Sequence, residues 1–124
     1  MSSITTIPKG WGEEVVWANT NTYCGKFLNF KEGAKFSMHF HKNKDETWYI
    51  VSGKFMLTYI HTPTAERKQL ELNVGDSWRN EPLEPHQLHC LESGTVFEVS
   101  THDDPNDNYR ILPGDSQTWH IQKK

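Results

Sequence analysis

Short runs of aromatic and β-branched residues, each closed by turn chemistry, most limit what this chain can fold into. They read "EVVW" (14–17), "GKFLNF" (25–30), "KFSMHF" (35–40), "TWYIV" (47–51), "KFMLTYI" (54–60), "KQLEL" (68–72), "HQLHCL" (86–91) and "TVFEVS" (95–100). Between them stand "KEG", "KNKD", "SG", "HTPTAE", "NVGD", "NEPLEP" and "ESG", whose Gly, Pro, Asn, Asp and Ser residues favour turns. No stretch before residue 100 repeats apolar residues at helical spacing over three turns. In "KQLEL", Leu70 and Leu72 fall on one face of a strand. Many short strands at regular spacing predict an all-β sandwich or barrel, jelly rolls included. The polar segment 101–117 is expected to run irregularly over the surface, and "SQTWHIQKK" to add an edge strand or a short helix. No internal repeat or linker interrupts the chain, so residues 1–124 read as one domain with a barrel core at about 23–100.

Composition narrows the function classes. Mean hydropathy is −0.76, yet aromatics make up 12% of residues and include five Trp. That pairing predicts a compact core beneath many polar loops, not disorder. A net charge of −3 without a dense Lys/Arg run gives no reason to expect nucleic acid. No apolar run approaches a membrane span, and "MSSITTIPKG" lacks the charged start and apolar stretch of a signal peptide. Two cysteines, Cys24 and Cys90, are too few for a disulfide framework. Free thiols in a reducing cytoplasm are the expectation.

The chemistry concentrates in "GAKFSMHFHKNKDETWYIVSG", Gly33 to Gly53. On a strand, His39 and His41 point the same way, about 7 Å apart along the chain. Two such imidazoles can serve one metal ion if they face a barrel interior; on an outer face they are ordinary surface histidines. "KNKD" turns the chain, and a returning antiparallel strand is expected to bring Glu46 beside them. Two His and a carboxylate suit Fe(II) with open positions, and Mn, Ni, Co or Zn accept the same donors. Gly33 and Gly53 sit where tight turns with positive φ are expected.

With its spacing written out, the stretch is Gly33, five residues, His39, one residue, His41, four residues, Glu46, six residues, Gly53. This resembles the first motif of the cupin superfamily. The second motif is matched by "GDSWRNEPLEPHQLHC", with Gly75 eleven residues before His86. Glu81 and Leu83 stand where that motif usually has proline and glycine, and Cys90 where asparagine is frequent. The resemblance covers Lys26 to Ser100. It implies a double-stranded β-helix (the cupin jelly-roll barrel), and a metal set of His39, His41, Glu46 and His86 with one or two positions left for water or substrate. His89 is the competitor for His86. Strand parity puts His86, Leu88 and Cys90 on one face and His89 on the other. Cys90 reads as a small buried apolar side chain, and His61, His102 and His120 as loop or terminal residues without a specific role.

The flanks resemble the cupin-type mannose-6-phosphate isomerase domain, also found attached to mannose-1-phosphate guanylyltransferases. "GWGEEVVW" supplies its opening Trp-Gly, Lys26 its lysine before the first barrel strand, and "FEVSTHDDPNDNYR" its acidic loop ending near Tyr and Arg. Met38 departs from the usual Gln before the histidine pair. This resemblance implies metal-dependent aldose–ketose isomerisation of a sugar or sugar phosphate. Such chemistry needs a base, here Glu98, and a cationic pocket for phosphate. Lys26 and Arg110 are carried by the resemblance, with Lys35 and Arg79 as further cations. A metal-dependent dioxygenase acting on a small thiol, diketone or aromatic diol uses the same ligands, and a non-catalytic sugar-binding cupin needs no base. The dioxygenase draws on Trp48, Tyr49 and Trp78 for an aromatic pocket, although core positions suit them as well. By analogy, and from the apolar residues on both faces of "TWYIV" and "KFMLTYI", a homodimer is expected.

Overall fold

Side-chain alternation turns each strand run into a ribbon with one buried and one wetter face, and two such sheets close on each other. The computed structural model describes residues 3–122. In chain order the strands are β1 (Thr5–Lys9), β2 (Gly12–Asn19), β3 (Cys24–Phe30), β4 (Met38–Phe40), β5 (Glu46–Ile50) and β6 (Lys54–His61). Then come β7 (Glu66–Leu72), β8 (Ser77–Asn80), β9 (His86–Glu92), β10 (Gly94–Ser100), β11 (Tyr109–Leu112) and the helix α1 (Asp115–Gln122). One sheet runs β1-β2-β3-β10-β5-β8 and the other β11-β4-β9-β6-β7. The ladders are antiparallel. The chain passes repeatedly from one sheet to the other, which makes the double-stranded β-helix that the motif spacing implied.

The barrel interior changes character over a single step of the ladder. In the six-stranded sheet one row is Leu28, Val96 and Ile50, and the row two residues on is Lys26, Glu98 and Trp48. Across the barrel, Leu57 pairs with Leu88, and the next row pairs Tyr59 with His86. One half is therefore an apolar core, with Ile50, Phe55, Leu57 and Leu88 at 0% exposure. Each such side chain contributes about 2 kcal/mol by leaving water. Trp11 stacks on Phe30 at 4.4 Å and closes this half. The other half is charged and polar and holds the candidate site.

Three strands, β1, β8 and β11, escape the sequence pattern. All are edge strands, so one side of each ladder is unpaired and no sustained alternation marks them. Pro8 within β1 is tolerated for the same reason. β11 lies in the segment read as irregular, and Asp107 just before it is buried. The "KFSMHF" strand shortens to Met38–Phe40, with Lys35 making only an isolated bridge to His89. Residues 115–122 form the helix rather than an edge strand. Tyr49 points outward at 49% exposure, not into the core, whereas Trp48 is buried and Trp78 packs against the core edge.

The turns carry their own chemistry. Gly33 and Gly53 have φ of 81° and 83°, as the motif required. At Gly53 an added Cβ would also sit 2.6 Å from the Glu92 carbonyl oxygen, so two constraints fix that glycine. Leu83, in the place of the motif's usual glycine, still adopts φ 73° while its N–H donates to the His41 carbonyl at 2.7 Å. The turn is kept and the side chain bears the strain, about 1–2 kcal/mol. Leu83→Gly is expected to leave the thermal midpoint unchanged or raise it by up to about 4 °C. Leu83→Val, β-branched at positive φ, is expected to lower it; a midpoint at or above wild type for Leu83→Val would contradict the strain.

Candidate metal centre

Three histidines reach one point from different parts of the chain. His39 lies on β4 and pairs directly across the ladder with His86, which opens β9. His41 follows the end of β4. One ring nitrogen from each lies within 4.8 Å of the other two. The opposite ring nitrogens are all spoken for by backbone carbonyls. His39 Nδ1 lies 2.8 Å from the Ser37 oxygen, His41 Nδ1 lies 2.5 Å from that of Asp107, and His86 Nδ1 lies 3.0 Å from that of Glu84. A carbonyl only accepts, so Nδ1 carries the proton and Nε2 presents its lone pair. Carbonyl partners on the far nitrogen are the usual support of a ligating histidine. Burial lowers the His39 pKa well below the ordinary 6.5, with help from His86 and His41. Burial also lowers that of His41, against the pull of Glu46. Both are neutral at pH 7, the form in which imidazole binds metal.

Glu46 comes to these rings by a different route from the returning hairpin expected above. β4 and β5 belong to opposite sheets, so Glu46 faces the histidines across the barrel interior. Its Oε1 lies 2.9 Å from His86 Nε2 and 3.9 Å from His41 Nε2. His86 Nε2 is buried and has no hydrogen-bond partner. A lone pair and a carboxylate oxygen therefore face each other at contact distance, an arrangement that a cation between them satisfies. The donor set fits a divalent metal ion.

A buried ion network adjoins this centre. Lys44 Nζ lies 3.2 Å from Glu46 Oε2, 3.0 Å from Glu98 Oε2 and 3.1 Å from Asp103 Oδ1. Lys26 Nζ lies 3.0 Å from Glu14, 3.7 Å from Glu98 and 3.3 Å from Asp103. Trp48 Nε1–H donates to Glu98 Oε1 at 3.2 Å. Burial lowers the pKa of both lysines, but their carboxylate neighbours, Glu98 first, outweigh it and hold both ammoniums charged. Burial pushes Glu46 up, but the Lys44 ammonium holds it well below the usual carboxylate range. Four carboxylates face two ammoniums, and the surplus negative charge falls on Glu98. Burial, then Glu46, raise its pKa to about 7.

The predicted residues thus separate into two groups. His39, His41, Glu46, Lys26, Glu98 and Arg110 all line one cavity of about 250 Å³, and His86 stands directly behind Glu46. Lys35 is exposed and away from it, and Arg79 is a surface group paired with Asp45 and Glu81. His89 is exposed, with Nε2 3.1 Å from the Gly33 oxygen, as parity indicated. Cys90 is buried in the apolar core, and both cysteines are free. Sequence reasoning missed Lys44, whose "KNKD" setting reads as a solvated turn, and Asp107. The Asp107 carboxylate accepts backbone N–H bonds from Lys42 at 2.7 Å, Asn43 at 3.0 Å and Lys44 at 3.0 Å. The same residue's carbonyl faces His41. Acidic residues in a polar segment gave no signal of this.

Comparison with known proteins places these observations. The family model described as "Cupin domain" matches residues 26–102. No curated protein matches the chain. Among solved structures, oxalate decarboxylase from Bacillus subtilis at pH 4.6 is similar with a TM-score of 0.77 at 19% identity. That alignment covers 90% of this chain and 31% of that one. The same enzyme, studied for its Mn(II) centres, gives 0.76 at 18% identity over 90% of this chain and 32% of its own. CapF with the inhibitor 3-isopropenyl-tropolone gives 0.73 at 18% identity, covering 89% and 34%. The chain spans about a third of each of these solved chains, and at such identities the likeness is one of fold.

Replacing Asp107 by Asn turns an N–H donor toward one of three backbone N–H groups that need an acceptor. Asp107→Asn is expected to cost about 2 kcal/mol in urea unfolding of the metal-free protein. A loss below about 0.5 kcal/mol would mean that the loop does not depend on this carboxylate.

Proposed function

This chain belongs to the cupin domain family, and from that premise we propose that its three histidines and Glu46 hold a divalent metal ion in an enzyme that moves a proton on a small polar substrate. The observation that carries the reading is the position of Glu98, a buried carboxyl group in the wall of the same cavity as the histidines. When bound, the metal supplies Lewis-acid polarisation of a substrate carbonyl or hydroxyl. Glu98 is the group that takes and returns the proton. Trp48 holds its Oε1, which directs Oε2 toward the lysines and fixes the carboxyl plane. Lys26 and Lys44 keep the surrounding carboxylates ionised and limit the negative charge a substrate meets. Arg110, exposed at the cavity rim, binds an anionic end of the substrate.

A cavity of about 250 Å³ suits a small metabolite. Its wall is mostly charged, with Phe36 and Trp48 as the aromatic exceptions apart from the imidazoles, which favours a polar substrate over an aromatic diol. Aldose–ketose isomerisation of a sugar phosphate, of the mannose-6-phosphate isomerase type, is the specific form we propose; it rests on the flanking segments described above. The metal is one of Zn, Mn, Fe, Ni or Co. The Mn(II) centres of the similar oxalate decarboxylase make Mn an early choice for loading. We place the protein in the cytoplasm on the strength of its two free, buried thiols; among the described residues no helix is long and apolar enough to cross a membrane.

The metal-loaded protein is expected to interconvert mannose 6-phosphate and fructose 6-phosphate without oxygen. Glu98→Gln should lower kcat about 100-fold or more while retaining metal. His41→Ala and His86→Ala should lose the metal by elemental analysis, and His61→Ala should not. Oxygen uptake in place of interconversion would move the assignment to an oxygenase. Ligand-dependent thermal stabilisation without turnover would make it a binding protein.

The outward face of the six-stranded sheet carries Trp17, Tyr49, Val51 and Val99, exposed by 37% to 49%, around the half-buried pair Phe27 and Phe97. We propose that a second copy covers this face. Sedimentation is expected to give a dimer, and a monomer for Tyr49→Lys/Val99→Lys; an unchanged dimer would put the contact elsewhere.

A further inference from the structure

The carboxylate that faces His86 is itself held from behind. Asn80, the last residue of β8, lies directly across the ladder from Glu46 and is 1% exposed. Its Nδ2 donates to Glu46 Oε1 at 3.3 Å, the same oxygen that lies against His86. Its Oδ1 accepts from Trp78 Nε1–H at 3.0 Å. An indole N–H can only donate, so it settles which way the Asn80 amide lies. The amide oxygen faces Trp78, and the N–H is left to point at Glu46. Trp78 in turn packs against Tyr59, with ring centroids 4.7 Å apart and planes inclined by 49°. The other oxygen of Glu46 belongs to Lys44 at 3.2 Å. Each oxygen of the carboxylate therefore has its own donor, and neither is free to rotate away without leaving a buried donor unmet.

We propose that Asn80, oriented by Trp78, is a positioning residue that fixes the Glu46 carboxylate and so sets how tightly the centre holds its metal. The two tryptophans that face each other across the β5–β8 ladder, Trp48 and Trp78, then support the two carboxylates of the site separately. Trp48 reaches Glu98 directly, and Trp78 reaches Glu46 through the amide. The inference rests on Glu46 being a ligand in the centre proposed above.

The test uses the metal-free full-length chain titrated with Co(II), with affinity and the visible absorption of the bound ion as readouts. Asn80→Leu keeps the side chain's bulk and removes the donor. It is expected to weaken Co(II) binding about 10- to 100-fold and to alter the absorption bands. Trp78→Phe keeps the ring and frees the amide to turn its oxygen toward Glu46. It should shift both readouts in the same direction by less, and Trp78→Phe in the Asn80→Leu background should add nothing further. Affinity within twofold of wild type and an unaltered spectrum in both single variants would overturn the proposal, even if thermal stability fell. If Asn80→Leu does not fold, Trp78→Phe decides alone by the same criteria. A wild-type chain that binds no Co(II) would overturn the metal centre itself and this inference with it; wild-type binding with unaffected variants would overturn only the inference.

Discussion

A charge taken out of water must be answered by another charge or a polar partner, and that requirement organises half of this barrel. Lys26, Lys44, Glu46, Glu98 and His86 are all 5% exposed or less. An unpartnered ion in such surroundings is prohibitively costly, and it survives only when ion pairs and hydrogen bonds replace its hydration. The lysines meet carboxylates at 3.0–3.7 Å. The imidazoles give their protons to backbone carbonyls, and the indole of Trp48 meets Glu98. Apolar replacement of such a network is often neutral or stabilising, so packing alone does not account for its presence beside three converging histidines.

The apolar half makes this tolerable. It fills the barrel with Leu28, Ile50, Phe55, Leu57, Leu88 and Val96, and the switch from that packing to charge takes one ladder step. Antiparallel register enforces the step. Because Lys26, Glu98 and Trp48 share a row, a shift of one residue in β10 would turn Glu98 to the outside and bring Phe97 or Val99 in. The fold and the site are thus fixed by the same pairing.

Much of this was legible in the amino-acid order, for an identifiable reason. Features with a fixed local period survive translation into space: paired histidines two apart, glycines at positive-φ turns, and alternation along β9 that separates His86 from His89. The interior strands follow from the same rule. What could not be read depends on partners far away in sequence. Lys44 looks like a turn residue until Asp103 and Glu98 close around it. Asn80 looks like a polar edge residue until Glu46, 34 positions away, accepts from its amide. Glu46 was placed in the right company by the wrong path, because a two-sheet crossover and a hairpin give the same sequence spacing. Three of the four edge strands, β1, β8 and β11, were invisible because a ladder with one open side need not impose alternation, whereas β7 kept enough of it in "KQLEL" to be read.

The contact between His41 and Asp107 joins residues 66 positions apart. Asp107 lies outside the segment that bears the recognisable motifs, yet its carbonyl decides which nitrogen of His41 holds the proton. In time rather than space, this puts an order on assembly. Until the chain beyond β10 has folded back onto the loop after β4, His41 can take either tautomer and the loop has no anchor, so a cation would meet an unfinished set of donors. The donor set at the motif thus depends on a segment that is made after it and lies beyond it.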